Sequence, residues 1–328
     1  MDIYELFSQL KNFSSISRFI KKHTSYEIVK IVSNIVGEDP NVYAFYDMGG
    51  CRYVKNNDDT FLKGNGGYFF VLEDIKQNMK EYKNFYSLLS DDVSRQIFMK
   101  QMQYRIVPHP SLILTAYTLS KKFPQYFDED IFSFGKDEVF VDCGGYIGDT
   151  TEEFVKLVGQ YRRIYIYEPN PILFEKCKSK FLLEEKIVLR KAGVGSKVTK
   201  VSYRDTANDG SGSFALLCND RNSQDNEDGF LDIVTLDEDI LEPVTFIKMD
   251  VECFESKALR GAANHIKKYT PKLVICLYHL VSDIWEIPKL INEINPNYKY
   301  YLRHYHPQQN WEYVLYCVPR GGASQCSQ

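Results

Sequence analysis

The sequence predicts an α/β protein: a Rossmann-like, doubly wound, seven-stranded and mostly parallel sheet with a C-terminal antiparallel hairpin, plus a smaller N-terminal α+β unit. Three observations carry this expectation. From about residue 135 onward, short apolar runs alternate with amphipathic segments. The first of those runs, EVFVDC (138–143), opens directly into a glycine-rich turn. The chain ends in two aromatic-rich runs, YKYYLRHY and EYVLYCVP, joined by a polar loop. Near-continuous apolar strands alternating with helices indicate a parallel sheet covered on both faces. In such sheets ligands bind outside the carboxyl ends of the strands.

The elements follow in order. Residues 1–36 carry apolar positions at helical spacing (Ile3, Leu6, Phe7, Leu10, then Phe19, Ile20, Ile28, Ile31, Val32), which predicts two helices. Residues 41–75 alternate aromatic runs with Gly-Gly, Asn-Asp and Asn-Gly turns, the pattern of a small antiparallel sheet. Ser90, Asp91 and Asp92 start a helix that Pro108 ends. After the bridging segment YFDEDIF come strand EVFVDC, helix DTTEEFVKLVG, strand RIYIYEPN and helix PILFEKCKSKF, with Pro171 in its first turn. KIVLRKAGVG is the third strand and VTFIKMD the fourth, followed by one helix, ESKALRGAANHIKKY. KLVICLYH is the fifth strand, followed by helix DIWEIPKLINEI. The polar run 205–229 is a surface loop or a lid. The domain organisation expected is an N-terminal unit 1–130 on the acceptor side, a nucleotide-binding unit 131–319 and a disordered tail 320–328.

Composition narrows the function. The 328 residues, 44% hydrophobic and 14% aromatic, leave room for one full core and one smaller unit. A net charge of −4 argues against a nucleic-acid partner, because binding many phosphates needs a basic surface. No window approaches the length of a membrane span, and MDIYELFSQLKNFSS does not read as a secretory signal. The eight cysteines, Cys51, Cys143, Cys177, Cys218, Cys253, Cys276, Cys317 and Cys326, form no CxxC pair. They read as reduced core residues of a cytoplasmic protein, not as a zinc site. A homodimer is a compatible assembly.

The glycine turn selects the ligand. A dinucleotide fingerprint is G-x-G-x-x-G, whereas here the glycines are Gly144, Gly145 and Gly148. The strand also ends in Asp142, an acid that would repel a pyrophosphate. It suits S-adenosylmethionine, which carries an ammonium and a sulfonium and no phosphate. On this reading Asp142 holds the amino-acid end, directly or through water, and the glycines let the backbone approach the ligand. Glu168 closes the second strand 26 residues on and accepts the ribose hydroxyls. The terminal hairpin fits a class I methyltransferase sheet better than a dehydrogenase sheet. The competing readings are a nucleotide-sugar oxidoreductase and an inactive binding subunit that keeps the fold.

The motifs FVDCGGYIGDTT, IYEPNP, AGVG, TLDE, FIKMDVECFESKALRGA and LYHLVSDIWEIP, in this order, resemble those of FkbM-type S-adenosylmethionine-dependent methyltransferases. The resemblance covers about residues 130–318, and the stretch 84–106 also resembles the N-terminal part of many bacterial members. It implies O-methylation of a sugar, a glycan precursor or a related natural product. It also implies that Asp142, Gly144, Gly145, Tyr146, Gly148, Thr150, Glu168, Pro169, Asn170, Gly193, Val194 and Asp250 bind the cofactor. The family usually has DVEGAE where this chain has DVECFE, so Cys253 and Phe254 replace two small residues. Phe254 either narrows the acceptor pocket or packs under the following helix. The family's DVGANIG is DCGGYIG here.

For the chemistry, a sugar hydroxyl is a poor nucleophile until its proton leaves, so a general base is expected near the methyl group. The candidates are Asp250 with Glu252 and Glu255 after the fourth strand, and His279 after the fifth. His279 is the best matched to neutral pH. Asp250 then orients the acceptor or holds the imidazole tautomer. A divalent ion on Asp250 and Glu252 is an alternative route. His304 and His306, alternating on one strand, are expected on one side together. The aromatics Tyr43, Tyr46, Tyr68 and Phe69 are expected at the surface, where they suit stacking on sugar rings.

Overall fold

The computed structural model describes residues 3–36, 68–120, 122–205, 214–216 and 229–321. The helices are α1 (Ile3–Gln9), α2 (Phe13–Lys22), α3 (Ser25–Val36), α4 (Tyr68–Leu88), α5 (Asp92–Ile106), α6 (Pro110–Ser120), α7 (Asp149–Val158), α8 (Pro171–Lys180), α9 (Leu236–Asp239), α10 (Glu255–Arg260), α11 (Ala263–Tyr269) and α12 (Asp283–Ile294). The strands are β1 (Val139–Cys143), β2 (Arg163–Tyr167), β3 (Ile187–Arg190), β4 (Gly193–Val194), β5 (Thr199–Asp205), β6 (Phe214–Leu216), β7 (Gly229–Val234), β8 (Phe246–Met249), β9 (Lys272–Cys276), β10 (Tyr298–His304) and β11 (Tyr313–Pro319). The main sheet has seven strands in the order β10-β11-β9-β8-β1-β2-β3. β1 pairs in parallel with β2 on one side and β8 on the other, which makes its carboxyl end the point where strand order reverses. The predicted fold class is the observed one. No described helix is long and apolar enough to cross a membrane.

Cα packing divides the chain into two compact units. The first comprises Met1–Asp128, Cys276–Leu290 and Lys299–Cys317. Where two N-terminal helices were predicted, three form. Asn12 and Ser15 make a reciprocal capping box at the start of α2, and Thr24 and Glu27 exchange the same pair of bonds at the start of α3. The expected small sheet falls mostly on residues outside the described ones. Its last stretch, YFFVLEDI, is helical: it begins α4, and Tyr68 is fully buried with its hydroxyl on the Ile106 carbonyl. Tyr68 is therefore core and not a sugar platform, and Phe69 is half-buried; Tyr43 and Tyr46 lie outside the described residues. Asp91 caps α5 as predicted, accepting from Ser94 N at 2.7 Å. Arg303 of β10 pairs with Asp91 at 2.8 Å and Asp128 at 3.2 Å. Ser90 N bonds the Tyr300 carbonyl at 2.8 Å, which covers the outer edge of β10.

The second unit comprises Glu129–Ile275, Ile291–Tyr298 and Val318–Gln328. Its centre is an aromatic cluster in which Phe140 stacks on Phe246 at 4.7 Å and Phe154 lies 4.6 Å from Phe140. Three predictions differ from the structure in an instructive way. The single third strand is two: β3 joins the main sheet, whereas β4 joins a four-stranded sheet of order β4-β7-β5-β6. The loop predicted over 205–229 contains β6, and its remaining residues 206–213 and 217–228 lie outside the described ones. The single helix over 255–269 is two, α10 and α11, and between them stands Gly261, where the chain of Gly195 passes so close that a Cβ would sit 1.9 Å from its carbonyl oxygen. Four of the five described cysteines are buried, as expected, but Cys253 is exposed. Of the predicted tail, residues 322–328 lie outside the described ones.

Candidate active site

The site is assembled where β1 and β2 end. In the parallel register Lys248 of β8 stands opposite Asp142 of β1. Both side chains are buried, and the ammonium lies 3.1 Å from Asp142 Oδ1. That contact is ionic and poorly angled for a hydrogen bond. Lys248 also donates to the Gly144 carbonyl at 2.7 Å, and Thr151 Oγ1 donates to Asp142 Oδ2 at 2.9 Å. Burial pushes the Asp142 carboxyl above its ordinary range, against the opposing pull of Lys248 and Thr151. Asp142 thus lies beneath the turn and ties strand, turn and helix α7 together. Asp142 was expected to hold the amino-acid end of the ligand, directly or through water; within the chain its two oxygens face Lys248 and Thr151, as a charge inside a parallel sheet must be paired.

The glycines also have a cause within the chain itself. Gly144 has φ +84°, and a Cβ on it would lie 1.8 Å from the Asp250 carbonyl oxygen. A Cβ on Gly145 would lie 2.2 Å from Ile166 Cγ2, and Gly148, at φ +78°, faces the Phe181 ring. Asp250 after β8, Ile166 of β2 and Phe181 after α8 crowd the turn, so it needs glycine whatever approaches its backbone. Tyr146 is the exception: it holds a left-handed φ of +49° and the residue is 46% exposed.

Glu168 follows β2 and is the organiser of the turn. One oxygen accepts from Tyr146 N and the other from Asn170 N, each at 2.8 Å. Only 6% of the residue is exposed. Burial pushes its carboxyl up to about 7, although the two backbone bonds pull it down. Each carboxylate oxygen retains a second lone pair for a ligand hydroxyl. Asn170 accepts from Ile172 N at 2.8 Å and Leu173 N at 3.2 Å, so its side chain caps α8. Pro169 and Thr150 are half-buried beside these turns. Gly193 and Val194 form β4, where a Cβ on residue 193 would meet Ile233 at 2.8 Å.

Asp250 follows β8, and its amide donates to the Cys143 carbonyl at 3.0 Å. After Val251 come two left-handed residues, Glu252 at φ +51° and Cys253 at φ +74°. The second of these is the position where the family pattern has glycine. Glu255 is buried and accepts from Val251 N at 2.8 Å, which closes this loop onto α10. It shapes the loop. Phe254 has the Lys257 ammonium 4.0 Å from its ring centre. His279 belongs to the first unit, three residues after β9, nearly buried and with its ring 4.2 Å from that of Tyr278. His304 and His306 do not act together. His304 ends β10 fully buried, stacked on Tyr313 at 4.1 Å, and burial depresses its imidazole to about 3. His306 lies beyond the strand and accepts from Gln308 N and Gln309 N.

Two residues that matter here escaped the sequence reading, Lys248 and Thr151. A signal existed for the first: FIKMD carries a lysine inside an otherwise apolar strand, and a buried lysine needs an acid.

With this geometry in view, the family model for the methyltransferase FkbM domain matches residues 142–303. Residues 142–303 carry an FkbM methyltransferase domain. A crystal structure of methyltransferase FkbM from Methylobacillus flagellatus KT is similar to it, with 25% identity and a TM-score of 0.63. That likeness covers 78% of this chain, which spans 64% of the length of its relative. An Aeropyrum pernix fibrillarin bound to S-adenosyl-L-methionine is 13% identical with a TM-score of 0.36, covering 56% of this chain and 66% of that one. A putative rRNA methylase from Clostridium thermocellum is 14% identical with a TM-score of 0.37, covering 57% and 88% respectively. Scores this low carry no functional weight. No curated protein matches the chain.

Proposed function

We propose that this methyltransferase moves the methyl group of S-adenosylmethionine to a hydroxyl of a sugar, glycan precursor or related natural product. The observation that carries the cofactor reading is the acidic cradle at the ends of β1 and β2. Glu168 sits behind the turn, and Asp149 and Glu152 head helix α7. A dinucleotide would bring its pyrophosphate to that helix start, where these acids repel it; a cationic ligand without phosphate is favoured. The residues fit the group: Glu168 offers acceptors to ribose hydroxyls, and the exposed Tyr146 ring offers an apolar wall beside it.

When bound, S-adenosylmethionine supplies a methyl group on a sulfonium, which leaves without protonation. The chain's own work is positioning, which contributes up to about 7–11 kcal/mol of the barrier in such reactions, and removal of the acceptor proton. His279 is the proposed base, because imidazole accepts a proton at neutral pH and a free carboxylate with a pKa near 4 does so poorly. Asp250 orients the acceptor. Residues 1–130 contribute to choosing it. Calorimetry with S-adenosylhomocysteine and NAD tests the cofactor: binding of NAD with no response to S-adenosylhomocysteine refutes the reading. Labelled S-adenosylmethionine with a panel of nucleotide-sugars and glycan extracts tests the acceptor. His279→Ala should then lower the rate about 10²–10⁴-fold and leave S-adenosylhomocysteine affinity intact. Wild-type turnover in that variant passes the base role to Asp250.

A further inference from the structure

Tyr146 sits in the glycine turn between β1 and α7, within the second unit. Its φ of +49° lies in the left-handed region, which glycine and asparagine enter readily and a bulky side chain enters at a cost. The family pattern DVGANIG has asparagine at this position, where this chain has tyrosine. A residue suited to the backbone is thus replaced by one that is not. Such an outlier in a ligand-binding turn points to function. Both backbone groups of Tyr146 are engaged: its N–H donates to Glu168 Oε2 at 2.8 Å, and its carbonyl accepts from the Cys177 thiol at 3.0 Å. The residue is nevertheless 46% exposed, so the exposed surface belongs mainly to the side chain. The two bonds hold the root of that side chain beside Glu168, the acceptor offered to the ribose hydroxyls.

S-adenosylmethionine carries its sulfonium on the carbon that extends from the ribose ring. A ligand whose ribose hydroxyls face Glu168 therefore brings that cation within one sugar ring of Tyr146. A sulfonium has no N–H or O–H, so a hydrogen-bond acceptor offers it no directed bond, whereas the face of an aromatic ring attracts a cation electrostatically. We propose that the Tyr146 ring recognises the sulfonium by a cation–π contact and so sets the preference of the site for S-adenosylmethionine over S-adenosylhomocysteine, which has lost both the methyl group and the charge. The proposal rests on the cofactor reading above. The positive charge disperses as the methyl group leaves, so the contact is stronger with the substrate than with the transition state. It serves selectivity and the release of product, not the rate of the chemical step.

The test measures dissociation constants of S-adenosylmethionine, S-adenosylhomocysteine and adenosine by calorimetry, on the full chain, for the wild type, Tyr146→Phe, Tyr146→Leu and Tyr146→Asn. The first two ligands share every other group, so the ratio of their constants isolates the methyl group and its charge. Tyr146→Leu keeps an apolar wall without a π face and should shift that ratio against S-adenosylmethionine by about 2–30-fold, the span of cation–π contacts from exposed to desolvated sites. Tyr146→Phe keeps the face and should hold the ratio within about twofold of wild type. Tyr146→Asn suits a left-handed backbone, so it should fold even if the leucine variant does not, and it should show the same shift. A ratio unmoved by leucine and asparagine, or moved as far by phenylalanine, overturns the proposal. Equal weakening of all three ligands, adenosine included, assigns the ring to adenine stacking and overturns it as well. If the wild type binds neither S-adenosylmethionine nor S-adenosylhomocysteine, the cofactor reading fails and takes this inference with it. If it binds both with a ratio indifferent to residue 146, the cofactor reading stands and only this inference falls.

Discussion

Glu168 gives the most quantitative handle on the cofactor site. Its carboxyl is held near 7 by burial, so the ionised fraction of the empty site runs from about 0.1 at pH 6 to about 0.9 at pH 8. A ligand that donates hydroxyls to the carboxylate, or carries positive charge beside it, favours the ionised form. Binding must then lower this pKa and release a proton. Affinity for S-adenosylhomocysteine should therefore rise about tenfold between pH 6 and pH 8 and level off above. Near pH 7 about half a proton should leave per ligand bound, read by calorimetry in buffers of different ionisation enthalpy. Glu168→Gln removes the titrating group and an acceptor. Charge-assisted hydrogen bonds contribute about 1.5–3 kcal/mol, so affinity at pH 8 should fall about 10–150-fold and become independent of pH in this window. A flat wild-type profile with no proton release would show that the ligand does not engage Glu168.

The same shift has a consequence for the apoprotein: the folded pKa lies above the ordinary 4.5, so the stabilisation is complete below about pH 4.5 and is lost as pH rises through about 7, by up to about 3 kcal/mol. Urea midpoints of wild type and Glu168→Gln at pH 5 and 8 check this, and a wild-type stability no more pH-dependent than the variant's contradicts it. Gly144→Ala places a Cβ 1.8 Å from the Asp250 carbonyl at a φ of +84°, and should destabilise by more than about 3 kcal/mol; a melting temperature within about 2 °C of wild type counts against the geometry. Lys248→Met strands the Asp142 charge inside the sheet, a loss of about 3–5 kcal/mol that the double variant with Asp142→Asn should partly recover. Cys253→Gly relieves a left-handed φ of +74° and should stabilise by about 0.5–1 kcal/mol after the entropy of the new glycine is subtracted; a destabilised variant would mean that the thiol makes a contact worth more than the strain.

Much of the molecule is legible in the sequence, because the signals involved are local. The alternation of apolar runs and helical segments depends only on which side of each element meets water. The turn at Gly144 to Gly148, Asp91 as the cap of α5 and Glu168 at the end of β2 follow from backbone chemistry within a few residues. What the sequence could not decide depends on neighbours distant along the chain. That Asp142 faces a lysine was a matter of register between β1 and β8, more than one hundred residues apart. The glycines were singled out from the turn pattern, but the packing that requires them was not legible, since Asp250, Ile166 and Phe181 crowd them only once the sheet is assembled. The need for glycine at position 261 depends on the passage of the Gly195 backbone, and the separation of His304 from His306 on β10 ending between them. Tyr146 is the extreme case. The motif shows tyrosine where the family pattern has asparagine, but its left-handed backbone and the two bonds that hold it, to Glu168 and Cys177, exist only in the folded turn. Local sequence determined the elements and the family; tertiary packing alone decided which charges are paired inside the protein and which are left to meet a ligand.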